Sequence, residues 1–186
     1  MTEISDIGDE PSTPIDQFVL HWGDMGGQWG VNRSIAQIHA VLYLSERPLT
    51  ADEIAAKLGI ARSNVSNSIK DLLGWNLIRR VPVKNDRRDH YEAETDMWEM
   101  FLRIAAGRKE REIDPAIATL RKCVRDAESN PHVSALARER LVKLLEFVAM
   151  MEGFYTQMLA VPKPKLALLV RLGTKILNFL PERKSK

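Results

Sequence analysis

The side chains best equipped for chemistry lie in one stretch, GIARSNVSNSIKDL at 59–72. Ser63, Asn64, Ser66 and Asn67 are short and can each donate and accept a hydrogen bond. Arg62 and Lys70 flank them with fixed positive charge. Groups of this kind suit a polyanion that shows polar edges between its charges. A second cluster, Lys84, Asp86, Arg87 and Arg88, sets a carboxylate beside two guanidinium groups. A carboxylate so placed can orient an arginine through a fork-like ion pair.

Other chemistries have no counterpart. The sequence contains no phosphate-binding loop, nucleophile elbow, metal dyad or paired carboxylates, so neither enzymatic activity nor a cofactor is expected. His21, His39, His90 and His132 lack metal-ligand spacing and are expected in structural roles. The single cysteine, Cys123, excludes an internal disulfide framework and fits a reducing compartment. Basic neighbours at Arg121, Lys122 and Arg125 could activate its thiol. Its place in the series Ile117, Leu120, Val124 favours packing instead.

The polar stretch must be positioned by helices. Val65, Ile69 and Leu72 recur at i, i+4, i+7, the mark of a helix with one buried face. Ser and Asn are poor helix formers, so their crowding on the outer face gives up stability that Glu, Lys or Ala would supply. Just upstream, TADEIAAKLG opens with a capping box at Thr50 and Glu53, turns Ile54 and Leu58 inward, and ends at Gly59 in a left-handed conformation. Downstream, LIRRVPV (77–83) and DHYEAE (89–94) read as two short strands joined by the loop KNDRR (84–88), with Pro82 suited to an edge of an isolated hairpin. Arg87 and Arg88 would then sit at the hairpin tip.

The flanks are helical. Residues 1–14 read as a disordered acidic tail. From Asp16 a helix carries Phe18, Trp22, Met25 and Trp29 on one face, with Gly23/Gly27 and Gly26/Gly30 as a stripe allowing close approach and a break near 26–30. Asn32 or Ser34 caps the next helix, which turns Ile35, Ile38 and Leu42 inward and closes by Pro48. From Asp96 onward the chain is helical, with a kink or fresh start at Asp114–Pro115 and a break at Asn130–Pro131. Between 132 and 160, Leu141, Val148 and Tyr155 form one heptad column and Leu144, Met151 and Met158 another. A last helix runs from Lys165 to about Phe179, its apolar face carrying Leu166, Leu169, Leu172, Ile176 and Leu180.

Charge and length agree with this plan. The 186 residues can bury one core with an appended arm. Residues 1–31 hold six acids and no Lys or Arg, whereas residues 57–91 hold eight bases against Asp71, Asp86 and Asp89, a net of +5. That local positive field matters for a polyanion although the whole chain carries only +2. No apolar run spans a membrane and no secretory leader is seen, so a soluble cytoplasmic protein without membrane partners is expected.

A capped helix, a glycine turn, a polar-faced helix and a basic hairpin together make a winged helix-turn-helix. In such a motif the second helix enters the major groove of DNA, where Asn suits adenine and Ser meets either edge. Wing arginines suit a narrow minor groove, and Lys57, Arg62, Lys70 and Lys84 suit phosphates. The fold class expected is mainly α with a small β-hairpin wing. Its parts are N-terminal helices at 15–45, the winged helix-turn-helix at 46–95, and a helical dimerisation region at 96–186 ending in the amphipathic helix.

LTADEIAAKLGIARSNVSNSIKDLLGWNLIRRV with the wing DRRDHYEAETDMWEM resembles the MarR-type winged-helix regulators. HWGDMGGQWGVNRSIAQIHAVLYL together with EAETDMWEMF is similar to their GbsR-like branch. The resemblance covers roughly residues 17–125 and implies a homodimer on pseudo-palindromic operator DNA, acting as a small-molecule-responsive repressor. It places the base-reading helix on residues 62–70 and the wing's Asp–Arg pair on Asp86 and Arg87. Ala61 departs from the pattern, since a Ser, Thr or Asp cap is usual there.

The alternative is a winged helix that serves as a protein-interaction scaffold without DNA. Trp22, Met25 and Trp29 could cage a cationic effector, although helical spacing favours packing or a dimer contact. The terminal amphipathic helix could lie on a membrane, but burial against a partner helix explains it as well.

Overall fold

Helix formation starts at Thr13, earlier than the periodicity alone indicates. The computed structural model describes residues 13–173 and 175; the acidic tail at 1–12, Ile176 and Leu180 lie outside them. Helix α1 (Pro14–Gln28) opens with a second capping box, in which the Thr13 hydroxyl accepts from the Asp16 amide at 3.2 Å and Asp16 Oδ2 accepts from the Thr13 amide at 3.0 Å. The bond from the Thr13 side chain holds the Asp16 carboxyl below its ordinary range.

Two glycines set the packing of α1 on α2 (Arg33–Tyr43), which Asn32 caps through a bond from the Ser34 amide at 2.8 Å. A Cβ at Gly26 would stand 2.6 Å from the Ala36 Cβ, and one at Gly23 would stand 2.6 Å from the Gln37 Cγ. Gly27 and Gly30 face open space. The close-approach stripe is therefore Gly23 with Gly26, not the i+4 pairs expected, because neighbouring turns of one face are met at i+3 as readily as at i+4. Gly30, at φ 78°, turns the chain between the helices.

The winged unit follows as β1 (Leu49–Thr50), α3 (Ala51–Leu58), α4 (Arg62–Gly74), β2 (Ile78–Val83) and β3 (Asp86–Ala93). The hairpin is not isolated. β1 pairs antiparallel with β3, Leu49 opposite Tyr91 and Thr50 opposite His90, giving the order β1-β3-β2. Pro82 lies in β2, an edge strand, where no ladder donor is missed. Ile38, Leu49, Ile54, Val65 and Leu72 are fully buried in the core, and Met100 of α5 (Met97–Arg108) joins them. Burial of each large aliphatic side chain contributes about 1.5–3 kcal/mol.

Two compact units divide the chain, one up to Arg103 and one from Ile104. In the second, a π-helical turn (Lys109–Ile113) leads directly into α6 (Asp114–Ser129). Of the kink or fresh start expected at Asp114–Pro115, no fresh start is found: Asp114 is itself helical, its amide closes the π-helical turn on the Lys109 carbonyl, and its side chain does not cap α6. Its carboxylate instead takes the Lys109 ammonium at 2.6 Å, which also reaches Glu152 at 3.0 Å. The Tyr155 hydroxyl donates to the Ala105 carbonyl at 2.9 Å, so α7 (Ala135–Ala160) is tied at two points to the start of this unit.

α6 buries Ile117, Val124 and Ala127, whereas Cys123 is exposed and does not pack as its neighbours do. α7 is 26 residues long and buries none of them. Leu141, Val148 and Tyr155 are half-buried, but Leu144 and Met151 of the other heptad column are open, as are Phe147 and Phe154. α8 (Lys163–Leu172) starts two residues earlier than its apolar series indicates and buries Leu166. No helix among the described residues is long and apolar enough to cross a membrane.

Candidate nucleic-acid interface

Helix α4 is aimed by its predecessor. Thr50 Oγ1 accepts from the Glu53 amide at 3.3 Å, and Glu53 Oε2 accepts from the Thr50 amide at 2.7 Å. Arg47 holds the other Glu53 oxygen at 2.6 Å, and this bond, with that from Thr50, keeps the carboxyl down at about 2. Gly59, at φ 62°, ends α3 in the left-handed region, where a residue without Cβ is least strained. Ala61 then begins α4 with no side-chain cap, as its type dictates. The first amides of α4 therefore keep their donors open at an end that favours negative charge.

α4 sorts its polar side chains into two sets. Val65, Ser68, Ile69 and Leu72 are buried. Ser63, Asn67 and Lys70 lie at i, i+4, i+7 on the exposed face and make no bond within the described chain. Asn64, expected to read bases, instead donates to the Ser34 hydroxyl of α2 at 3.0 Å. Arg62, expected as a phosphate anchor, donates Nε–H to Asp52 Oδ1 at 2.6 Å and Nη1–H to the half-buried Ser66 hydroxyl. Of the six α4 residues singled out by type, three face outward free and three are held by neighbours. Asp52 and Ser34 were missed, and only the acid in the first turn of α3 hints at either.

The wing differs from its expected form at the turn. The hairpin reverses at Lys84–Asn85, with Val83 opposite Asp86 and Asn85 at φ 65°. Between the pairs Val81–His90 and Val83–Asp86, β2 contains one residue and β3 contains three, so Arg87, Arg88 and Asp89 form a bulge. Arg87 and Arg88 thus lie on this bulge, not at the tip of a five-residue loop. Asp86 grips Arg88, not Arg87: both carboxylate oxygens accept from Arg88 Nε at 3.0 Å, and Oδ1 takes the Arg88 amide at 3.0 Å. That contact holds the Asp86 carboxyl far below its ordinary range and raises the Arg88 guanidinium. Buried His90 braces the bulge from below, its Nδ1 2.9 Å from the Arg88 carbonyl and its Nε2 3.5 Å from Asp86. Arg87 and Lys84 are exposed, and their side chains are unpaired among the described residues.

The α1 aromatics form a strip. Phe18 and Trp22 stack at 5.4 Å along one face, Met25 is half-buried, and Trp29 is 61% exposed. A cage needs rings on more than one side of a cation, and this strip alone offers one side. Two clefts in the same unit, of about 180 and 80 Å³, share Arg79, Ala93 and Thr95 in their lining, and neither is lined by Trp22, Met25 or Trp29.

Residues 29–89 match the family model described as the MarR family. Three regulators of Bacillus subtilis (strain 168) are similar in sequence. The putative HTH-type transcriptional regulator YvaV is 22% identical over 89 residues, 48% of this chain and 50% of its own. The HTH-type transcriptional repressor OpcR is 22% identical over 78 residues, 42% of each chain. The HTH-type transcriptional repressor GbsR is 21% identical over 100 residues, 54% of this chain and 55% of its own. The chain thus spans about half the length of the curated relatives it matches. A crystal structure of a transcriptional regulator superposes with a TM-score of 0.61 at 17% identity, covering 80% of this chain and 97% of that one, a likeness of fold.

Proposed function

We propose, from the premise that residues 29–89 are a MarR-family winged helix-turn-helix, that this chain is a sequence-specific, DNA-binding transcriptional regulator. The observation that carries the reading is the free column Ser63, Asn67 and Lys70 on α4, set in one unit with the unpaired Arg87 of the wing bulge. Asn67 and Ser63 meet base edges in the major groove, Lys70 and Lys84 take phosphates, and Arg87 enters the minor groove. Asp86 keeps Arg88 beside it as the wing's second cation.

The proposed assembly is a homodimer, supported by the open apolar faces of α7 and α1, which a second copy would cover. Two reading helices about 34 Å apart then call for an imperfect palindrome. Repression, and its release by a small molecule, extend the proposal. To reverse such a grip, a ligand must distinguish the two forms by about 5.5 kcal/mol.

The test is selection of duplex fragments from a random pool, followed by fluorescence anisotropy against salt. We expect a recurring palindromic site, affinity that falls steeply with salt, and preference lost at one base pair in Asn67→Ala by about 1–3 kcal/mol. Indifference of the unmutated protein to every duplex at low salt overturns the reading and leaves a protein-interaction scaffold.

A further inference from the structure

Arg62 occupies the first position of α4, where a reading helix presents its side chains to base edges, yet it is not free to follow a phosphate. Asp52 of α3 takes its Nε–H at 2.6 Å, and Ser66, one turn on, takes one Nη1–H. A guanidinium has five N–H donors in one plane. Asp52 and Ser66 thus hold the plane from its two flanks, and an Nη1–H and both Nη2–H groups remain unengaged. Two adjacent donors in a fixed plane match the O6 and N7 acceptors of guanine in the major groove. A phosphate anchor needs no such bracing, since a lone charge on a flexible stem suffices. An acidic residue facing DNA also opposes phosphate binding, so Asp52 weakens affinity while it fixes geometry.

Resting on the DNA-binding reading above, we propose that Arg62 is a specificity-determining residue that reads one guanine in each half-site, with Asp52 as its positioning residue. The bracing crosses from α3 to α4, so the first helix of the motif contributes to sequence choice without touching a base. Ser66 serves the same end from within α4.

Base-substitution profiles on the selected site, measured for the unmutated protein, Arg62→Lys and Asp52→Ala, test this. Lysine keeps the charge but loses the planar fork, so Arg62→Lys should lose about tenfold of the preference for guanine at one base pair and keep its affinity for unrelated duplexes. Asp52→Ala should lose about threefold or more at that same base pair while binding unrelated duplexes as well as before or better. Both side chains are exposed, so circular dichroism should show both variants folded. An Arg62→Lys profile unchanged at every position makes Arg62 a phosphate anchor and overturns the proposal. So does an Asp52→Ala profile that shifts uniformly across all base pairs. Failure of the unmutated protein to prefer any sequence refutes the parent reading instead, a result visible before either variant is measured.

Discussion

Helices α2 and α7 are both rich in apolar residues and end in opposite states. α2 is 11 residues long and buries six, from Ile35 to Leu42. α7 is more than twice as long, at 26 residues, and buries none. The difference lies in what surrounds each helix. α2 is enclosed by α1, α3, α4 and β3 of its own unit, whereas α7 packs on α6 and leaves Leu144, Phe147, Met151 and Phe154 open. Hydrophobic burial is a large term only when the chain can complete it. The winged unit completes it; α7 does not, and the proposed second copy would complete it.

The sharpest way to break this contrast is to truncate one side chain in each region. Ile54→Ala, at 0% exposure, should cost about 2–5 kcal/mol in urea unfolding at every protein concentration. Phe147→Ala, at 57% exposure, should lose stability only in the part that depends on concentration, with sedimentation shifting toward monomer. An equal, concentration-independent loss in both would place the cover of α7 within a single chain.

The enclosure of α2 also has a pH signature. His39 is buried, its Nε2 has no partner, and burial pushes its pKa down from 6.5 to about 4. The unfolded chain binds a proton at this residue below 6.5 while the folded chain does not until about 4. The stability carried by neutral His39 is therefore complete above 6.5 and declines as pH falls toward 4, by about 3 kcal/mol in total. Denaturant midpoints for His39→Leu across that window should show the slope flattened.

Smaller effects test the α1–α2 contact and the start of α4. Gly26→Ala drives a methyl to 2.6 Å from the Ala36 Cβ and should cost about 1–3 kcal/mol. Gly27→Ala meets nothing within 4 Å and should gain up to about 1 kcal/mol from helix propensity, with both variants measured by thermal unfolding. Ala61→Ser supplies the acceptor α4 lacks and should stabilise by about 1 kcal/mol.

What could be read from sequence follows from range. Thr50, Glu53, Gly59 and Ala61 were legible because caps and left-handed turns are set within four residues, and each stands as expected. The heptads of α7 were legible because periodicity is local, although it could not say which column would be left open. β1 was missed because two residues carry no pattern; their partner, β3, lies some forty residues downstream. The partners of Asn64 and Arg62 were not legible for the same reason, since Ser34 and Asp52 reach them through the tertiary fold. The wing turn was placed too wide because Asn85 takes a positive φ and the β3 bulge absorbs residues that composition assigns to a loop. The Asp–Arg pair shifted by one residue with it.

Thr50 has two attachments at once: it faces His90 across the sheet, and its hydroxyl caps α3. One residue thus welds the bulge-bearing strand to the helix that aims α4. Helix α4 and the wing are thereby linked through one residue, like the two jaws of a calliper. On the proposed DNA-binding reading, a duplex gripped this way is gauged for twist and groove width as well as letters, so wrongly wound DNA of the right sequence should be a poor fit.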